Sequence, residues 1–340
     1  MSHRLQSTHF SQKKSSPIKR DAPVAPQWPS YQGQSQFVGT SPSGRVTVFV
    51  DPSLGDPGLQ NAQDLVNDAD RVASANDQIF GTTGGPVSVI VFALGGVTDG
   101  TGGADHMGCD YTSGAAIEVS ASFGNSARVS ALFEAELSEC SMGGNLCGVS
   151  SGEALSRWCA AVVGNNALSD FATAPTWASD GMPDYVDQTD PTDQNPDSTG
   201  CGMAFISWLL SQGIGLNQIA QGLVALTANG TFAQLYANLT SQPPGNAWPT
   251  FLAAVQNLSN GVPNDDAFGG AAQPAQLSHL APWSVNLAGK VFAAILADVA
   301  TGKPAHQVVA SVRAVLVASP AAQVHSVSHR LATPAKAAKA

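Results

Sequence analysis

Charge is scarce in this chain of 340 residues: only 12% are Asp, Glu, Lys or Arg, about half the roughly 25% of an average soluble domain. Positive charge is scarcer still. The formal net charge is -10 and the isoelectric point lies near 4.9, which argues against a nucleic-acid partner, because phosphate binding needs Lys and Arg clustered on one face. The basic residues gather at the ends instead, with Arg4, Lys13, Lys14, Lys19 and Arg20 at one and Lys336 and Lys339 at the other. No stretch approaches the roughly 20 apolar residues of a membrane span. The first 36 residues also lack the apolar run of about 7–15 that a secretory signal requires, so export by a standard signal is not expected, while the neutral-polar composition is compatible with secretion and the compartment stays open. Histidine is almost missing from the middle of the chain, where His106 stands alone between His9 and His279. An H-x-H or His-rich metal site cannot form there, and no histidine is evidently placed to activate Ser150 or Ser151 for serine hydrolysis.

Apolar residues, by contrast, make up 43% of the chain, ample for a core. Residues 1–43, with Pro17, Pro23, Pro26, Pro29 and Pro42, read as a disordered leader. Residues 46–50 form a β-branched strand ended by Asp51-Pro52, and Leu59, Ala62, Leu65, Val66, Ala69 and Val72 recur at helical spacing. The nearly continuous apolar run 87–94 is expected to be a central strand covered on both faces. The shorter, more polar stretch 115–120 suits a sheet edge, and Asn125-Ser126 caps a helix running to Met142. Helices are expected over 152–163, 199–211, 216–227, 231–239 and 248–258. The reading is therefore α+β: a small twisted mixed sheet and one prominent helix, then a mainly helical lobe, together spanning 44–260. A linker over 261–283 leads to a helical hairpin at 284–318 and a disordered tail at 319–340. The hairpin is too short to bury a core alone, so its apolar stripe is expected to dock on the body or on a second copy, a route to a homo-oligomer.

The prominent helix carries Ala135-Glu136-Leu137-Ser138-Glu139. Residues four apart share a helix face, which is why H-E-x-x-H places two imidazoles on one zinc with the intervening Glu as general base. The present segment resembles that zincin peptidase motif with both histidines gone: Glu136 keeps the base position, Ala135 at the first ligand place cannot coordinate, and Glu139 stands at the second ligand place. The order strand, helix, strand, edge strand, helix is likewise similar to the N-terminal half of zincins, a family whose edge strand borders the substrate cleft. The resemblance implies a zincin-like fold, with Glu153 on the next helix in the third-ligand place of a gluzincin. Glu153 also has a structural explanation, as part of a Ser150-x-x-Glu153 capping box or an i,i+4 pair with Arg157.

Convergence of Glu136, Glu139 and Glu153, with His106 as a replacement ligand or base, would give an oxygen-rich site better suited to calcium, magnesium or manganese than to zinc. A second candidate is the acidic segment 180–197, whose Asp193, Asn195 and Asp197 alternate like calcium-loop ligands and compete with a helix-capping role. The five cysteines, Cys109, Cys140, Cys147, Cys159 and Cys201, match no common zinc spacing. They are equally consistent with buried thiols or with one or two disulfides, Cys140–Cys147 being the easiest local pair. Without the zinc-binding histidines, the expected function is that of a non-proteolytic pseudoenzyme binding a protein or polymer ligand in the former cleft. The alternative is a divergent metal-dependent hydrolase with Glu136 as base.

Overall fold

A computed structural model describes residues 23–272 apart from 108–115, 144–145, 192–193 and 227–228; these residues belong to a compact unit, Met1–Leu277. The expected hairpin at 284–318 and tail at 319–340 lie outside the described residues, as do Cys109 and Asp193. The architecture is α+β. Five strands, β1 (Gln36–Thr40), β2 (Val46–Val50), β3 (Val87–Phe92), β4 (Ala104–Met107) and β5 (Ala116–Ser120), form one sheet in the order β1-β2-β3-β5-β4. The inner three are parallel, and both edge strands run antiparallel to their neighbours.

Alternation along each strand explains how the sheet is covered. Val46, Val48, Val50, Val87, Val89, Val91, Ile117 and Val119 point to one face, where they meet helices α1 (Gly55–Phe80) and α2 (Ser126–Ser141). Phe49, Ile90, Phe92 and Ala116 point to the other, where Trp28 packs over them, its ring 5.5 Å from that of Phe49 in an edge-to-face contact. Glu118 shares this second face and is fully buried. Its Oε1 accepts from the backbone N–H of Ser30 at 3.0 Å and of Tyr31 at 2.6 Å, and Oε2 accepts from the Ser30 hydroxyl at 2.6 Å. The segment 23–35 is thus tied down as a strap. The leader boundary expected at residue 43 is corrected accordingly, because proline prevents helix but not an extended strap anchored by three donors on one carboxylate.

Two further expectations change. Residues 116–120 form an inner strand, the edge being β4, along which only four residues alternate. The segment 261–272, expected to be linker, packs on the lobe: Asp265 accepts the N–H groups of Thr173 and Ala174 at the start of a helix, and Asp266 accepts from Ser207, Gly270 and Ala271.

The lobe contains α3 (Ser150–Val163), α4 (Ala174–Ser179), α5 (Pro196–Ser211), α6 (Leu216–Val224), α7 (Phe232–Thr240) and α8 (Ala247–Gln256). Helix α5 is buried all round from Ser198 to Leu210, which requires close neighbours. A Cβ on Gly202 would stand 2.7 Å from that of Ala154 on α3. Phe205, Trp208, Phe232 and Phe251 fill the centre, with ring centroids of Phe205 and Phe251 5.1 Å apart. Among the described residues no helix is long and apolar enough to cross a membrane.

One buried carboxyl lacks hydrogen-bond partners. Glu134, on the α2 face away from the edge strand, is fully buried, and neither carboxyl oxygen has a hydrogen-bond partner. Burial pushes its pKa well above the ordinary carboxylate range, against the pull of nearby Arg71. A raised folded-state pKa means that its contribution is favourable below the unfolded value of about 4.3 and is lost as the pH rises through the folded value. Glu134→Gln should therefore match the wild type in acid and exceed it by a growing margin from about pH 4.3 upward in thermal melts; a constant difference across pH would show that Glu134 does not titrate this way. For the strap, removing a carboxylate that satisfies three donors leaves them buried and unpaired, so Glu118→Ala should lower stability by about 2–4 kcal/mol. Limited proteolysis should then cut within residues 23–35, and unchanged protection of that segment would refute its role as anchor.

Candidate functional site

Helix α2 begins at Asn125, whose side chain accepts the Arg128 N–H at 3.2 Å. Arg128 itself pairs with both oxygens of Asp170 rather than with Glu136, fixing the helix against the lobe. The helix is nearly all buried because β5, α1 and α3 surround it, and Glu136 is one of its partly exposed positions.

Edge strand β4 and helices α2 and α3 enclose a cavity of about 430 Å³, walled by Asp105, His106, Ala135, Glu136, Glu139, Cys147, Glu153, Ser156 and Arg157 among others. All four of the residues proposed to converge, Glu136, Glu139, Glu153 and His106, therefore face one space. The aligned position Ala135 offers it only a methyl group.

The polar contacts form a chain. His106 Nε2 lies 3.2 Å from Glu139 Oε2, and Ser156 Oγ donates to Glu139 Oε1 at 3.0 Å. On the other side of the ring the Cys140 thiol lies 3.4 Å from His106 Nδ1. Burial holds the His106 pKa below its ordinary value, although the charges of Asp105 and Glu153 pull it upward. A neutral imidazole that donates from Nε2 to the Glu139 carboxylate and accepts the thiol proton at Nδ1 satisfies this network, so the close His106–Glu139 pair is a hydrogen bond rather than an ion pair. Glu153 is held by Arg157, whose Nε donates at 2.6 Å, while Arg157 Nη1 donates to the carbonyl of Phe171 at 3.0 Å. The i,i+4 reading of Glu153 is present and the capping box is not: α3 starts at Val149 with no side-chain cap.

Arg157, Leu168 and Phe171 also line a second cavity of about 240 Å³ that is mostly apolar, bounded by Trp158, Ala161 and Met203. Sequence reasoning missed this chamber because the segment 164–172 that frames it has no periodic pattern.

The residues do not fit the zinc site of a peptidase. Ala135 cannot bind metal, and Glu153 is engaged by a guanidinium. Cys147 Sγ lies 3.8 Å from His106 Nε2, and the donor atoms of His106, Glu139 and Cys147 lie within 4.8 Å of one another. Cys147 is disulfide-bonded, however, and a disulfide sulfur is no thiolate ligand. Cys140, Cys159 and Cys201 are in no disulfide, so the local Cys140–Cys147 pair does not form; the partner of Cys147 lies outside the described residues. Residues 148–152 have the Gly-x-Ser-x-Gly spacing of a nucleophile elbow, a match easily passed over. Ser150 nevertheless opens α3 buried, with its hydroxyl accepting the Asp190 N–H at 3.1 Å, which is a structural use.

Asn195 and Asp197 do not line this cavity. Asn195 caps α5, its Oδ1 accepting the Asp197 N–H at 3.0 Å while its amide nitrogen donates to Tyr185 and Asp190. A cap and a calcium ligand make different demands on that side chain. Asn195→Ala should cost about 0.5–2 kcal/mol, equally in millimolar calcium and in chelator; a loss seen only with calcium present would restore the ligand role. No family model, curated protein or solved structure matches the chain.

Proposed function

We propose that the protein is a non-proteolytic, zincin-like binding protein that receives a basic segment of a protein or polymer ligand in the cavity between β4, α2 and α3. The observation that carries this reading is that the groups in the motif positions serve one another or the protein. Glu139 is hydrogen-bonded by His106 and Ser156, Glu153 is paired with Arg157, and Ala135 lines the wall without a donor. The zincin-like reading is supported by the element order β2, α1, β3, β4, β5, α2 and by the edge strand bordering the cavity, as it borders the cleft in that family.

The ligand chemistry follows from the lining. Asp105, Glu136, Glu139 and Glu153 face a space in which Arg157 is the only lysine or arginine among the described residues, and His106 is neutral. A lysine or arginine side chain entering there meets complementary potential, while a ligand carboxylate meets repulsion. Fluorescence anisotropy with short labelled peptides rich in Lys and Arg, compared with Asp- and Glu-rich peptides, tests this. Basic peptides should bind and stay intact by mass spectrometry, and Glu136→Gln should weaken them roughly tenfold, about 1.4 kcal/mol. Equal binding of acidic peptides would refute the ligand class. Chelator-sensitive cleavage that disappears in Glu136→Gln would replace this reading with the hydrolase one.

A further inference from the structure

We infer that His106, Glu139 and Cys147 form a divalent-metal site that exists only when the Cys147 disulfide is reduced. The inference is independent of the peptide-binding reading, since it rests on donor geometry alone. Metal–ligand bonds of about 2.0 Å to oxygen or nitrogen and 2.3 Å to sulfur in a tetrahedron place the ligand atoms about 3.3–3.6 Å apart. His106 Nε2 stands 3.2 Å from Glu139 Oε2 and 3.8 Å from Cys147 Sγ, each within a few tenths of an ångström of those spacings, and the Glu139 and Cys147 donors lie within 4.8 Å of each other, so release of Cys147 from its disulfide has to bring its sulfur up to about 1 Å closer to the carboxylate. The ring is already turned the right way: Nε2 is the atom shared by the two other donors, and Nδ1 is held at 3.4 Å by Cys140, the kind of partner that orients a ligating imidazole. Ser156 holds the second oxygen of Glu139 and does the same for the carboxylate. The fourth coordination position opens on the cavity that these residues line.

The missing condition is the thiolate. An external reductant, a dithiol in a cell or a phosphine in the test tube, supplies two electrons; the S–S bond breaks, two protons are taken up, and two thiols result while the dithiol becomes a disulfide or the phosphine, with water, its oxide. Metal binding then releases the proton of the Cys147 thiol to solvent, while His106 stays neutral and changes tautomer, its Nε2 proton being replaced by one on Nδ1 that points to the Cys140 sulfur. Nitrogen, carboxylate and thiolate together favour zinc over calcium or magnesium, with cobalt(II) as a coloured substitute.

The test titrates cobalt(II) into the full chain, oxidised and after phosphine reduction under argon, following the thiolate-to-cobalt charge-transfer band and circular dichroism. Reduced wild type should bind one equivalent with that band and at least tenfold more tightly than the oxidised protein. Cys147→Ser, His106→Ala and Glu139→Ala should each lose the band or weaken binding at least tenfold, with unchanged circular dichroism. The inference is overturned if the reduced chain unfolds, if oxidised and reduced proteins bind equally, if the band persists in Cys147→Ser, which would assign the metal to other thiols, or if His106→Ala binds as tightly as the wild type.

Discussion

A parallel sheet has no face it can leave to water, and that constraint organises this molecule. The inner strands β2, β3 and β5 bury residues on both sides, so each side needs a cover. Helices α1 and α2 supply one. On the other side a short extended segment does the work of a helix layer: one tryptophan over Phe49, and a carboxylate at the centre of β5 that collects three donors from the strap. Because β5 also leads into α2, the strap that fixes β5 from one side indirectly positions the helix that lines the cavity on the other.

Much of the body is legible in the sequence. Periodicity locates β2, β3, α1, α2 and most lobe helices, since each buries a regular stripe whose spacing survives in the residue order. What periodicity cannot show is order imposed from a distance. The strap is irregular in sequence, and its folding depends on Glu118, 87 and 88 residues away. The segment 261–272 looks like a linker because its polar contacts with the lobe come through two aspartates, Asp265 accepting the N–H groups of Thr173 and Ala174 and Asp266 the Ser207 hydroxyl, contacts that leave no pattern. Strand β4 is four residues long, too short for alternation to register, and its neighbour was taken for the edge in its place.

At the site the convergence of Glu136, Glu139, Glu153 and His106 follows from placing helix positions on a shared face and an edge strand beside them. The partners of these groups do not follow. That Glu139 is divided between His106 and Ser156, or that Cys140 and Cys147 lie on opposite sides of one imidazole, depends on side-chain geometry across three elements. Counting cysteines could suggest a disulfide but not which sulfur would stand beside a histidine.

The arginine between the two chambers sets their relation. Arg157 contacts Glu153 and the Phe171 carbonyl and borders both the carboxylate-lined space and the apolar one behind it. Leu168 and Phe171 are the other residues that line both spaces. Recess depth in this scaffold is accordingly a property of a rotamer and a salt link, so a single substitution at that wall can lengthen the accessible volume from a polar pocket into an amphipathic channel while every helix keeps its place.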